Sequence, residues 1–95
     1  MYLLQIEHSV PDFDAWKAVF DSDPIDRKGS GMRGYRIHRP ADDPNYVVVD
    51  AEFDSAQEAE AVRDTLRGLW KDRMEDGVIA SHRARIVETV EARQI

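Results

Sequence analysis

The chain holds three histidines, His8, His38 and His82, and no cysteine. A thiolate nucleophile, a disulfide framework and a cysteine-ligated metal are therefore all excluded. No two histidines stand three or four residues apart, so no single turn presents a pair to a cation, and no metal site is expected. His38 has the most chemistry open to it. Residues 33–38 alternate, with Tyr35 and Ile37 on one side and Arg36 and His38 on the other. The segment from Tyr46 to Phe53 alternates more strongly, with Val47, Val49, Ala51 and Phe53 opposed to Tyr46, Val48, Asp50 and Glu52. If the two segments pair, His38 can approach Asp50 or Glu52, and an imidazole oriented by a carboxylate is a general base. The same residue types at cross-strand spacing also make a plain ion pair. His38 and Asp50 are the candidate catalytic residues. Arg36 and Glu7 share their face and are candidate substrate-binding residues, Arg36 either anchoring an anionic group or neutralising Asp50. Trp16, Tyr35 and Trp70 can line an aromatic pocket for a planar ligand, or serve as core. Gly29-Ser30-Gly31-Met32-Arg33-Gly34 has phosphate-loop composition, but it leads into a strand rather than a helix N-terminus, so phosphate binding is not expected there.

The bulk composition bounds what these residues can serve. Ninety-five residues make one domain, 1–95, and the 19 acidic against 13 basic residues leave a net charge of −6. Nucleic-acid affinity is mainly phosphate neutralisation, so nucleic acid is an unfavourable partner. With 42% hydrophobic and 34% charged residues the chain reads as an ordinary globular domain, and no apolar run approaches the roughly 20 residues of a membrane span. Met1 to His8 lacks the basic and long apolar regions of an export signal and already alternates like a strand, so a cytoplasmic location is expected.

The elements that must position the candidates follow from periodicity and punctuation. Residues 2 to 8 form a first strand with Leu4, Ile6 and His8 on one side and Leu3, Gln5 and Glu7 on the other. Asp12 caps a helix over residues 12–22 whose apolar stripe is Phe13, Trp16, Val19 and Phe20. Asp23-Pro24 predicts a short additional helical turn to Lys28. A second strand from Arg33 to His38 and a third from Tyr46 to Phe53 form a hairpin across Ala41-Asp42-Asp43-Pro44-Asn45. Ser55 and Glu58 make a capping box, with the Ser55 hydroxyl on the Glu58 amide and the Glu58 carboxylate on the Ser55 amide. The helix they open buries Ala59, Val62, Leu66 and Leu69, is expected to bend at Gly68, and ends by Gly77. Arg83 to Val90 is a fourth strand.

Strand, helix, strand, strand, helix, strand with right-handed crossovers is the ferredoxin-like α+β architecture. It has a four-stranded antiparallel sheet in order 4-1-3-2, with both helices on one face. The uncovered face carries Leu3, Gln5, Glu7, Arg36, His38, Tyr46, Val48, Asp50, Glu52, Arg85, Val87 and Thr89, over roughly 400 Å² in plan. Its mixed character, with Leu3, Val48 and Val87 among charged residues, points to a homodimer through this open sheet face, the alternative being a monomer whose sheet faces water.

The run Val10-Pro11-Asp12-Phe13-Asp14-Ala15-Trp16-Lys17 with Phe20, then Asp23-Pro24, Arg33-Gly34-Tyr35-Arg36 and Val47 to Phe53, resembles small bacterial proteins of the dimeric α/β-barrel superfamily. That grouping includes antibiotic-biosynthesis-monooxygenase-like and cyclase-like proteins. The resemblance implies a homodimer whose sheets pack face to face into a barrel, often with a ligand cavity in each subunit. Its members range from cofactor-independent oxygenases to haem-degrading enzymes, isomerases and proteins with no known activity. Two function classes are carried forward. One is a monooxygenase- or cyclase-like enzyme on an aromatic or polyketide-like metabolite, working without a cofactor. The other is a non-catalytic dimeric ligand-binding or stress-related accessory protein. A cavity of about 300 Å³ or more lined by Trp16, Tyr35 or His38 would favour the enzyme. RNA-recognition modules share the topology, but Asp50 and Glu52 stand where their third strand needs stacking aromatics. Regulatory domains of the amino-acid-sensing type share it too, but carry a glycine in the loop after the first strand, where this chain has Ser9-Val10-Pro11-Asp12.

Overall fold

The strongest alternation in the chain becomes an inner strand of the sheet. In the computed structural model, which describes residues 1–95, the element order is β1 (Tyr2–Ser9), α1 (Phe13–Asp21), β2 (Gly34–His38), β3 (Tyr46–Phe53), α2 (Ala56–Glu75) and β4 (Arg83–Glu88). The sheet runs β2-β3-β1-β4, the expected order read from its other edge. Every neighbouring pair is antiparallel. The fold is ferredoxin-like, and no helix is long and apolar enough to cross a membrane.

Register fixes which side chains share a row. Leu4 pairs with Ala51 and Ile6 with Val49, so the inward sets of β1 and β3 coincide. On the outer face Arg36, Asp50, Gln5 and Arg85 form one row, and His38, Val48, Glu7 and Arg83 the next. Leu4, Val47, Val49, Ala51 and Phe53 are fully or almost fully buried, against Trp16 of α1 and Ala59, Val62 and Trp70 of α2. Val10 and Ile79 join this core from the turns after β1 and α2. Tyr35 and Ile37 of β2, and Ala84 and Ile86 of β4, are only partly covered or exposed. They lie on the two edge strands, where a side chain has a neighbouring strand on one side only.

Local signals set the helix starts. Asp12 Oδ1 accepts from the amides of Asp14 at 3.0 Å and Ala15 at 3.4 Å, satisfying free donors of the first turn of α1. Ser55 Oγ accepts from the Glu58 amide at 3.1 Å. The second half of the capping box differs from expectation, because Ser55 Oγ–H donates to Glu58 Oε1 at 3.2 Å in place of a bond to the Ser55 amide. α2 runs on through Gly68, as expected, to Glu75. Two further details correct the sequence reading. β4 stops at Glu88. The helical turn expected over Pro24–Lys28 is absent, because Asp23 and Asp26 take left-handed backbone angles, φ 55° and 52°, which a right-handed helix excludes. Their carboxylates accept from the amides of Arg27 at 2.8 Å and Gly29 at 3.2 Å, so side-chain turns replace helical bonds.

Candidate functional site

The sheet divides the candidate residues between two faces. On the helix side, a cavity of about 360 Å³ lies between α1, the 22–33 loop, α2 and the inward side chains of β1 and β3. Trp16 and Trp70 line it together with His8, Val49, Ala51 and Leu66. Its origin is in the sequence pattern. Ala51 is small where its neighbours in β3 are larger, and α1 and the turns after it roof the space with Val19, Phe20, Ile25 and Met32.

His8 packs against both indoles in the cavity wall and is only 2% exposed. Its Nδ1 lies 3.0 Å from the Ser81 carbonyl oxygen. A carbonyl only accepts, so Nδ1 carries the proton, and in the neutral ring Nε2 keeps the lone pair. The contact is locked from both sides. Ser81 Oγ accepts from the Ser9 amide at 3.0 Å and the Ala80 amide donates to the Ser9 carbonyl at 2.8 Å, pinning the segment before β4 to the end of β1. Burial pushes the His8 pKa down from 6.5 to about 4, the Ser81 carbonyl opposes the shift, and His82 adds to it. The Trp70 ring meets His8 edge-on at 5.2 Å and stacks on His82 at 5.3 Å, while Trp16 lies 6.3 Å from His8. At neutral pH His8 is thus an uncharged hydrogen-bond acceptor in an aromatic cleft. A conjugate acid this weak makes it a poor proton acceptor, and its direct use is to fix the orientation of a ligand hydroxyl or amine.

The outer face gathers most of the other predicted residues. His38 Nε2 and Asp50 Oδ2 are 3.7 Å apart, close enough for an ion pair when the imidazole is protonated. Asp50 Oδ1 is shut from solvent without a hydrogen-bond partner. Glu7 Oε1 accepts from the Tyr46 hydroxyl at 2.8 Å, which raises the Tyr46 pKa by hydrogen bonding first and burial second. Gln5 Oε1 accepts from Arg85 Nε at 2.9 Å. Arg36 stands opposite Asp50 in register, yet it is exposed and its guanidinium forms no ion pair. The pairing partner of Asp50 is His38 instead.

Of the predicted site residues, Trp16 lines the cavity and Tyr35 does not. Tyr35 faces the helix side at the sheet edge, 43% exposed, with its ring against Phe20 at 5.0 Å. Arg27 occupies the space beside it, its guanidinium carbon 4.3 Å from the Phe20 centroid and 5.2 Å from that of Tyr35. His38, Asp50, Glu7 and Arg36 are all on the far side of the sheet from the cavity. The sequence assigns His8 no role beyond its place in the first strand. Its signal was a histidine at an inward position of an inner strand, in line with Leu4 and Ile6. Arg27 and Arg73, also in the cavity wall, carried no sequence signal, since both sit on stretches rich in charge.

No family model and no curated protein matches this chain. Solved structures do. A candidate antibiotic biosynthesis monooxygenase from Nitrosomonas europaea is 24% identical, covering 96% of this chain and 100% of that one, with a TM-score of 0.61. Another from Deinococcus radiodurans is 14% identical over 100% of this chain and 98% of that one, TM-score 0.65. A dimeric ferredoxin-like protein from an uncultured marine organism is 11% identical, covering 97% of each chain, TM-score 0.66. What this chain has in common with the antibiotic-biosynthesis-monooxygenase-like proteins is therefore their ferredoxin-like fold, over nearly its whole length.

Proposed function

We propose that this protein binds a planar, largely apolar metabolite of aromatic or polyketide type between its helices and sheet, and transforms it by oxygenation, cyclisation or isomerisation. The observation that carries this reading is the cavity of about 360 Å³ with Trp16 and Trp70 in its wall and the neutral His8 between them. Its volume lies within the range of small-molecule sites, and its lining has the usual composition, mostly apolar with few polar groups. The names of the similarly folded proteins favour oxygenation among the three reactions. His38 and Asp50 form a second candidate catalytic pair, with Glu7 and Arg36 beside them. They can act only on a molecule held at the outer face.

The experiment is a thermal-shift and turnover screen against aromatic and polyketide compounds. A ligand of the native state raises the unfolding midpoint. The variant Val19→Trp, which fills the cavity from α1, is expected to abolish the shift while folding normally. A shift that survives Val19→Trp places the ligand elsewhere and overturns the reading. Binding without any change in the ligand would make the protein a binder in place of an enzyme.

The chain is also proposed to form a homodimer through the outer face of its sheet. The half-buried Leu3, Val48 and Val87 and the solvent-excluded, unpartnered Asp50 Oδ1 support this surface, and proteins of the same fold are described as dimeric. Sedimentation equilibrium at tens of micromolar protein is expected to give twice the 10.9 kDa chain mass, and a single species at the chain mass would refute it. Asp50→Ala and Glu52→Ala are expected to loosen the dimer.

A further inference from the structure

We propose that the ligand of the helix–sheet cavity carries an oxyanion, a carboxylate or an ionised enol or phenol, held by the guanidinium groups of Arg73 and Arg27. This rests on the reading of that cavity as the binding site. Acidic residues outnumber basic ones by 19 to 13 in the chain, yet no aspartate or glutamate lines the cavity. Its only charged wall residues are Arg27 and Arg73, and its remaining titratable group, His8, is uncharged at neutral pH. Asp23 and Asp76 stand behind the two arginines and outside the lining, so the charge that faces the apolar cleft itself is positive and suits an anionic group.

Each guanidinium is ion-paired at Nε, Arg73 with Asp76 and Arg27 with Asp23, but the pairs leave both Nη groups of Arg73 and Nη2 of Arg27 without a protein acceptor. Arg73 Nε is shut from solvent and makes no aligned hydrogen bond, although Asp76 Oδ2 lies 3.1 Å away. The other oxygen of Asp76 is occupied by the Val78 amide at 3.1 Å. Arg27 is 19% exposed and donates through Nη1 to the Phe20 carbonyl at 2.5 Å. Its nearest carboxylate oxygen, Asp23 Oδ1, is 3.5 Å from Nε and already accepts from the Arg27 amide at 2.8 Å. A guanidinium has five N–H donors in a planar fork that suits a carboxylate or a delocalised oxyanion. Arg73 follows Trp70 on α2 by three residues, one helical turn, so a ring against the indole leaves an acidic substituent within reach of the guanidinium. His8 Nε2, as acceptor, is suited to a second, un-ionised hydroxyl on the same molecule.

The test uses 2-naphthoate and its uncharged counterpart 2-naphthamide, titrated against the quenching of tryptophan fluorescence. The wild-type protein is expected to bind the carboxylate about tenfold more tightly. Arg73→Gln is expected to reduce that preference to about twofold or less, mainly through weaker carboxylate binding. Arg73→Lys, which keeps the charge, retains part of it, and Arg27→Gln produces a smaller loss than Arg73→Gln. Equal affinity for the two probes in the wild type, or an unchanged preference in Arg73→Gln, overturns the oxyanion and leaves the cavity as a site for neutral ligands. Quenching by neither probe at millimolar concentration overturns the cavity reading and this proposal together.

Discussion

Phe53→Ala is expected to lower the folding free energy by about 3–5 kcal/mol, enough to unfold much of a small domain. Phe53 ends β3 on the helix side, is wholly buried, and is the largest such side chain in the molecule. Truncation there removes the apolar burial of the ring and leaves a void that the backbone cannot close, because Phe53 is held in register opposite Tyr2. Urea titration should show a lower midpoint with an unchanged slope. Leu69→Ala is the informative comparison. Leu69 already borders the open cavity and is only partly buried, so its truncation enlarges an existing space and is expected to cost less. Equal costs at the two positions would mean that the cavity closes in solution.

The second large effect is pH dependence through His8. Its pKa is about 4 in the folded chain against 6.5 when exposed, so between these values the unfolded chain binds a proton that the native chain does not. Above about pH 7.5 both states are neutral at this position and stability is unaffected. As the pH falls, the unfolded state is favoured progressively until the native imidazole also titrates near pH 4. From about pH 7.5 to about pH 5 this removes about 2 kcal/mol. Carboxylates titrate at the lower end of that window, and the comparison with His8→Gln isolates the imidazole. The wild type is expected to lose about 2 kcal/mol more than the variant over this span in urea unfolding. Parallel profiles, or a His8 imidazole that titrates near 6.5 by NMR, would contradict the buried neutral ring.

The folding of β1 accounts for why this histidine went unassigned at first. Alternation placed His8 with Leu4 and Ile6 correctly, but it carries no information about what lies over the end of a strand. That cover is Ser81, 73 residues away, brought there by the turn after α2. The same limit applies to Tyr35, whose parity was right and whose place in the pocket was wrong. An edge strand can face the helices and still extend past them, leaving the ring exposed beside Arg27. That His38 meets a carboxylate of β3 was legible because it needs only two adjacent strands in a hairpin, while the register, with His38 opposite Val48, decided for Asp50 over Glu52.

What the sequence by itself determined is everything carried by neighbours along the chain. The caps at Asp12 and Ser55, the faces of β1 and β3, the order of the elements and hence the ferredoxin-like sheet all follow from spacing and turn chemistry. The tertiary structure alone decided that the indoles of Trp16 and Trp70 leave a space between them, that His8 stands neutral in its wall, and that Arg27 and Arg73 are the charges beside it. Those outcomes depend on how α1 and the 22–33 loop settle over the sheet. Periodicity reports which face of an element is buried, whereas a cavity is set by the volume that several buried faces fail to fill.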